Sequence, residues 1–149
     1  MNTTPSSRKA AHTPASEPLA KSAAQIPPLK TRGLARFYHA TRYSLQGLKT
    51  AYQTEPAFRY ETWCALALLP AAFWLASSPL HWALLISSLL FVLIMELINT
   101  AIEAIVDRAG REYHELAGLA KDLGSAAVLF ALFIALLCWG SSLWSRLLV

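Results

Sequence analysis

The sequence predicts an all-α integral membrane protein, with three transmembrane helices preceded by an N-terminal amphipathic helix lying at the interface. Three observations predict it. Of 149 residues, 55% are hydrophobic and 15% charged, and the charges are clustered rather than spread as on a soluble surface. Two uncharged windows, residues 62–80 and 123–145, are 19 and 23 residues long, and each is long enough to cross a hydrocarbon core. A third window, residues 82–95, is shorter and gains its length from the helix that continues it.

The first thirty or so residues are different material. They hold Pro5, Pro14, Pro18, Pro27 and Pro28 among Ser, Thr, Ala and Lys, with no aromatic residue and no apolar periodicity. Such a stretch is predicted to be disordered. It lacks the continuous apolar core of a signal peptide. Its Arg8, Lys9, Lys21, Lys30 and Arg32 supply much of the net charge of +4, which suits retention on an anionic cytoplasmic face better than nucleic-acid binding.

From residue 34 the pattern becomes helical and one-sided. Leu34, Phe37, Thr41, Leu45, Leu48 and Tyr52 recur at steps of three or four, with Arg36 opposite. A helix resting on the membrane or packed on the bundle is expected. Thr54-Glu55-Pro56 then reads as a turn, with Pro56 suited to the first turn of the next helix. The chain thus divides into a tail (1–32), an interfacial helix (33–53) and a transmembrane domain (54–149), with spans at about 60–78, 81–107 and 120–146.

Lys and Arg set the expected topology. Most of the thirteen precede the first span, Arg108, Arg111 and Lys121 flank the connection between the second and third, and the Ser77-Ser78-Pro79 turn has none. The N-terminus and the 108–121 connection are therefore expected in the cytoplasm, with the C-terminus on the opposite side. Trp63, Trp74, Trp82, Trp139 and Trp144 lie near span ends, where indoles suit the headgroup level or ordinary lipid-facing bulk.

The informative residues continue the middle span. Glu96, Asn99, Glu103 and Asp107 fall within about 80° of one another on a helix otherwise made of Leu, Ile, Val, Ala and Met. An ionised carboxylate costs about 3 kcal/mol or more at the bilayer centre, so this stripe calls for a partner, a metal or water. Glu55, Glu112 and Asp122, with Arg36, Arg59, Arg111 and Lys121, are assigned to the same side. Oxygen ligands of this kind suit Mg²⁺, and the basic groups suit phosphates. The competing reading is structural ion pairing with Arg59, Arg108 or Arg111, strongest for Asp107, Glu61 and Glu115.

Other chemistries find little support. No glycine-rich phosphate loop or soluble kinase motif is present. Cys64 and Cys138 lie apart in apolar windows, without the spacing of a zinc site. The histidines are scattered, and only His114 falls in the polar connection. An intramembrane Glu also serves proton-coupled exporters, but such a protein does not need the whole constellation from Glu103 to Asp122.

The run Glu96-Leu-Ile-Asn99-Thr-Ala-Ile-Glu103-Ala-Ile-Val-Asp107-Arg108, then Glu112-Tyr113-His114-Glu115-Leu116 and Lys121-Asp122-Leu123-Gly124-Ser125-Ala126-Ala127-Val128, closely resembles the bacterial integral-membrane diacylglycerol kinases. The resemblance covers about residues 34–147. Undecaprenol kinases of the same superfamily share the first block, while the later segments look more like the diacylglycerol branch.

The resemblance implies a homotrimer with active sites shared between chains at the cytoplasmic face of the inner membrane, and ATP-dependent phosphorylation of diacylglycerol to phosphatidic acid. It implies Glu96 as catalytic base and Glu55 and Glu103 as Mg²⁺ ligands. Nucleotide contacts fall on Arg36, Tyr43, Glu55, Glu103, Glu112, Tyr113, His114, Lys121 and Asp122. Lipid-substrate contacts fall on Arg36, Thr41, Ser44, Arg59, Glu61, Glu96, Asn99 and Ser125. Three departures touch the lipid-side surface: Pro56 in place of Ala, Thr41-Arg42 in place of a small pair, and Gln46 in place of Lys. They bear on substrate preference more than on reaction type.

Overall fold

The computed structural model describes residues 33–109 and 114–148, all in helices and their short connections. The tail predicted for residues 1–32, together with Arg111, Glu112 and Tyr113, lies outside the described residues. Four helices follow in order: α1 (Leu34–Thr54), α2 (Pro56–Leu75), α3 (Pro79–Ala109) and α4 (Glu115–Leu148). The chain divides into two compact units, Met1–Ala40 and Thr41–Val149.

In the first unit, Gly33 adopts φ +79°, a left-handed conformation that disfavours a side chain. Its carbonyl accepts the Arg36 amide at 3.0 Å and opens the helix. Phe37 of the predicted apolar stripe is exposed.

In the second unit, α1 passes into α2 through one residue. Glu55 is extended (φ −101°, ψ 110°) and stands at the N-cap of α2, with Pro56 in the first turn, where a missing amide costs nothing. The Arg59 guanidinium reaches back to the carbonyls of Gln53 (2.9 Å) and Tyr52 (3.4 Å). A cation at a helix C-terminus satisfies carbonyls that have no partner within the helix. Arg59 thus fixes the corner that presents Glu55, and among the described residues it pairs with no carboxylate.

Helix α2 begins earlier and ends sooner than the 60–78 span predicted. Ala76 leaves the helix (φ −70°, ψ 127°), and Ser77, Ser78 and Pro79 turn the chain. Proline disfavours helical geometry in the residue before it, so the uncharged window 62–80 is split between two helices. The later bounds also widen. α3 covers 79–109 rather than 81–107, and α4 starts at Glu115 rather than 120. His114 caps α4, its Nδ1 accepting the Leu116 amide at 3.2 Å and its carbonyl the amides of Ala117 and Gly118.

Among the described residues, two helices are long and apolar enough to cross a membrane, Pro79–Arg108 and Glu115–Leu148, each with mean hydropathy 2.2. They form the main antiparallel pair. The α3 seam is Leu85, Ser88, Val92, Glu96 and Asn99, at heptad-like steps, and the α4 seam is Gly124, Ala131, Ala135 and Ser142, all buried. Lipid tails are as apolar as leucine, so small residues that let backbones approach, and buried polar bonds, hold such a pair together. Val92 packs with Ala131 and Ala135. Nearer the turn, Ala72, Leu75 and Leu85 pack with Trp82, Cys138 and Trp139.

A hydrogen-bond chain closes the turn end. The Ser77 amide donates to His81 Nδ1 at 3.2 Å, so the ring proton sits on Nε2. Nε2 therefore donates to Ser142 Oγ (2.8 Å), which donates to the Cys138 carbonyl (2.6 Å). Arg146 lies over the Trp74 ring at 5.4 Å. His81 is fifteen residues, or about 22 Å of helix rise, from Glu96. His81→Leu is expected to lower thermal stability by about 1 kcal/mol per lost bond while leaving turnover at 25 °C within about twofold. Thermal inactivation in detergent micelles checks it; a tenfold loss of turnover at low temperature would tie this end to catalysis.

Candidate functional site

The polar stripe of α3 runs from buried to exposed. Glu96 and Asn99 are 6% and 8% exposed, Glu103 is half-buried and Asp107 exposed. A steady helix explains the gradient, since each step of three or four residues climbs about 5–6 Å along one face. Asn99 Nδ2 donates to Glu103 Oε1 at 3.1 Å, one turn on. Asn99 Oδ1 is buried without a hydrogen-bond partner.

Carboxylates from two other places gather on the same end. Glu55 and Glu103 are near enough to act on Glu96 through their charge, and Glu96 acts likewise on Glu61. Glu61 Oε2 is buried with no hydrogen-bond partner. Repelling, desolvated carboxylates are costly unless a cation or proton compensates them. Two basic groups of this region are engaged elsewhere: Arg59 on the α1 carbonyls and Lys121 on Asp107, at 2.6 Å. An ion pair at Asp107 therefore exists, and among the described residues its partner is Lys121 across the helix pair rather than Arg59 or Arg108. Being exposed, it is screened by solvent and adds little to stability.

Among the described residues, no three Asp, Glu, His or Cys side chains converge tightly enough to hold a metal by themselves. Mg²⁺ needs only one or two carboxylates when phosphate and water complete its shell. Glu55 and Glu103, oxygen donors that both act on Glu96 through their charge, fit that demand.

Beside Glu61 opens a groove of about 420 Å³ between α2, α3 and α4, lined by Cys64, Leu68, Leu89, Val92, Leu136 and Trp139 among others. It is apolar except at the Glu61 end. Such a shape suits an acyl chain with its polar head toward the carboxylates. No individual apolar residue in the sequence marks it, because a groove is a property of three helices together.

Of the remaining expected site residues, Glu112 and Tyr113 lie outside the described residues. Thr41, Tyr43 and Ser44 are exposed on α1, Asp122 and Ser125 are exposed on α4, and His114 is exposed at the α4 cap. Arg36 belongs to the first unit. Gly124, buried against Asn99, has no expected role from sequence, although it stands inside the Lys121–Val128 motif.

Over residues 42–143 the chain matches the family model for prokaryotic diacylglycerol kinase. It belongs to that family. Curated relatives named diacylglycerol kinase agree: one from Haemophilus influenzae is 49% identical over 114 residues, 76% of this chain and 97% of the relative. One from Escherichia coli K12 is 49% identical over 116 residues, 78% and 95% respectively. One from Pseudomonas aeruginosa is 45% identical over 111 residues, 74% and 90%. Membership of the diacylglycerol kinase family and two membrane-capable helices together make this a membrane protein and a lipid kinase. The matched span contains the whole carboxylate cluster, whereas Arg36 and Thr41 precede it.

Proposed function

We infer that this chain transfers the γ-phosphoryl group of ATP to the hydroxyl of diacylglycerol, giving phosphatidic acid and ADP at the cytoplasmic face of the bacterial inner membrane. The observation that carries the reading is the stripe of buried Glu96 and Asn99 and half-buried Glu103, with Asn99 bonded to Glu103, on a membrane-capable helix in a member of this kinase family. A lipid hydroxyl arrives from within the bilayer and the nucleotide from water. A site with its base buried and its other carboxylates nearer the surface serves both.

Phosphoryl transfer depends on positioning and charge neutralisation more than on covalent catalysis. Glu96 accepts the hydroxyl proton as the oxygen bonds to the γ-phosphorus and ADP leaves. Glu55 and Glu103 would hold Mg²⁺, which would supply positive charge to offset that of the triphosphate. Lys121, released from its exposed pair with Asp107, binds phosphate, with Arg36, Tyr43, Glu112, Tyr113, His114 and Asp122 completing the nucleotide contacts. Arg59, Glu61, Asn99 and Ser125, with Thr41 and Ser44 on α1, face the lipid, and the groove beside Glu61 takes an acyl chain.

The assembly that suits this chemistry is a homotrimer in which α2, α3 and α4 all cross the membrane and α1 lies on its cytoplasmic surface. α2 carries Arg59, Glu61 and Pro70, so its span is the least apolar and gains most from neighbours. The N-terminus and the 108–121 connection face the cytoplasm by their basic residues. The test is purified protein in phospholipid vesicles with Mg-ATP, offered dioleoylglycerol and undecaprenol separately. Labelled phosphatidic acid, formed in preference to undecaprenyl phosphate, is expected. Phosphorylation of undecaprenol alone, or of neither lipid, overturns the reading.

A further inference from the structure

Gly124 stands where α4 meets the polar ladder. Its φ is not positive, so its conformation would accept any residue, and what it supplies is space. A Cβ built there would overlap Asn99 Oδ1, and it would lie 3.4 Å from Asn99 Cγ and 3.6 Å from Ile102 Cδ1. Gly118 and Gly140 of the same helix meet nothing within 4 Å. Glu103, as a carboxylate, only accepts, so the Asn99 amide must present Nδ2 to it. That orientation leaves Oδ1 with no hydrogen-bond partner.

We propose that Gly124 is a positioning residue for the phosphoryl transfer. By withholding a side chain it lets Asn99 keep the rotamer that donates to Glu103 Oε1, and so fixes the carboxylate assigned to Mg²⁺. The inference rests on that assignment of Glu103. With a methyl group at 124, Asn99 must turn away, Glu103 loses its donor, and its oxygen no longer has a set direction. Groups that orient a metal ligand are worth about 10–100-fold in metal affinity or activity.

The test uses the full chain in dioleoylphosphatidylcholine vesicles, with turnover on dioleoylglycerol and, separately, the Kd for Mg²⁺ with the non-hydrolysable nucleotide AMPPCP. Gly124→Ala is expected to lower kcat and raise that Kd, each by about 10–100-fold, as Asn99→Ala also does. Because both act through one contact, the double variant should be no worse than the poorer single one. Gly140→Ala should change neither quantity. If Gly124→Ala alone fails to fold, the double variant, in which the clash is removed, should fold and match Asn99→Ala. Unchanged kcat and Kd in Gly124→Ala, or losses that multiply in the double variant, would overturn the proposal. Glu103→Gln run alongside separates the two levels: a near-unchanged Glu103→Gln defeats the metal assignment, whereas an impaired Glu103→Gln beside an unimpaired Gly124→Ala defeats the Gly124 role alone.

Discussion

Glu96→Gln is expected to lower turnover by about 10²–10⁴-fold, the range that a positioned general base contributes, while the chain still folds and extracts as the unchanged protein does. The substitution keeps the shape of a side chain only 6% exposed and removes its ability to take a proton. It also removes a charge that lies close to those of Glu55 and Glu103 and acts on Glu61. Relief of that repulsion should make the variant as stable as the parent or more so, since a buried charge without a paired cation is a liability. A stable but inactive protein would therefore separate catalysis from folding at this position. Activity within a few-fold of the parent would remove Glu96 from the role of base. Phosphorylation of dioleoylglycerol and thermal unfolding, measured on the same preparation, supply both readings.

Much of this was legible in the sequence because the decisive signal is periodic. Glu96, Asn99, Glu103 and Asp107 share a face by spacing alone, and the structure keeps them on one helix with the burial gradient that a membrane-surface site requires. What the sequence concealed depends on contacts between helices. The Lys121–Asp107 pair spans fourteen residues across a connection, and no one-helix pattern points to it. His81 looked like one of several scattered histidines, yet it joins the turn to α4 through Ser142. Gly124 was present in a recognised motif, but only its distance to Asn99 reveals why a glycine stands there.

Mixing an inactive Glu55→Gln chain with an inactive Glu96→Gln chain is expected to restore about a quarter of full activity, if a cyclic trimer draws these two carboxylates from adjacent subunits and chains assort at random. Within one chain, Glu55 already acts on Glu96 through its charge, so a site contained in a single chain is a physical competitor. Leu45, Leu66 and Ile105 are 61%, 50% and 71% exposed, an apolar surface that lipid or a neighbouring chain can cover. Co-purification through two different tags would verify mixing. Mixed assemblies with no recovered kinase activity would place both carboxylates of a site in the same chain.

The most direct measurement is the affinity of two variants for Mg²⁺ and AMPPCP, by calorimetry in the same vesicles. Glu96 and Glu103 lie on one stripe, about 10 Å apart in helix rise, and are assigned to opposite partners: the buried residue to the lipid hydroxyl, the half-buried one to the metal and nucleotide. Glu96→Gln should bind Mg-AMPPCP within a few-fold of the parent, and Glu103→Gln should bind it at least about tenfold more weakly. Equal losses in both variants, or a loss in Glu96→Gln alone, would contradict the division of the stripe into a lipid end and a nucleotide end.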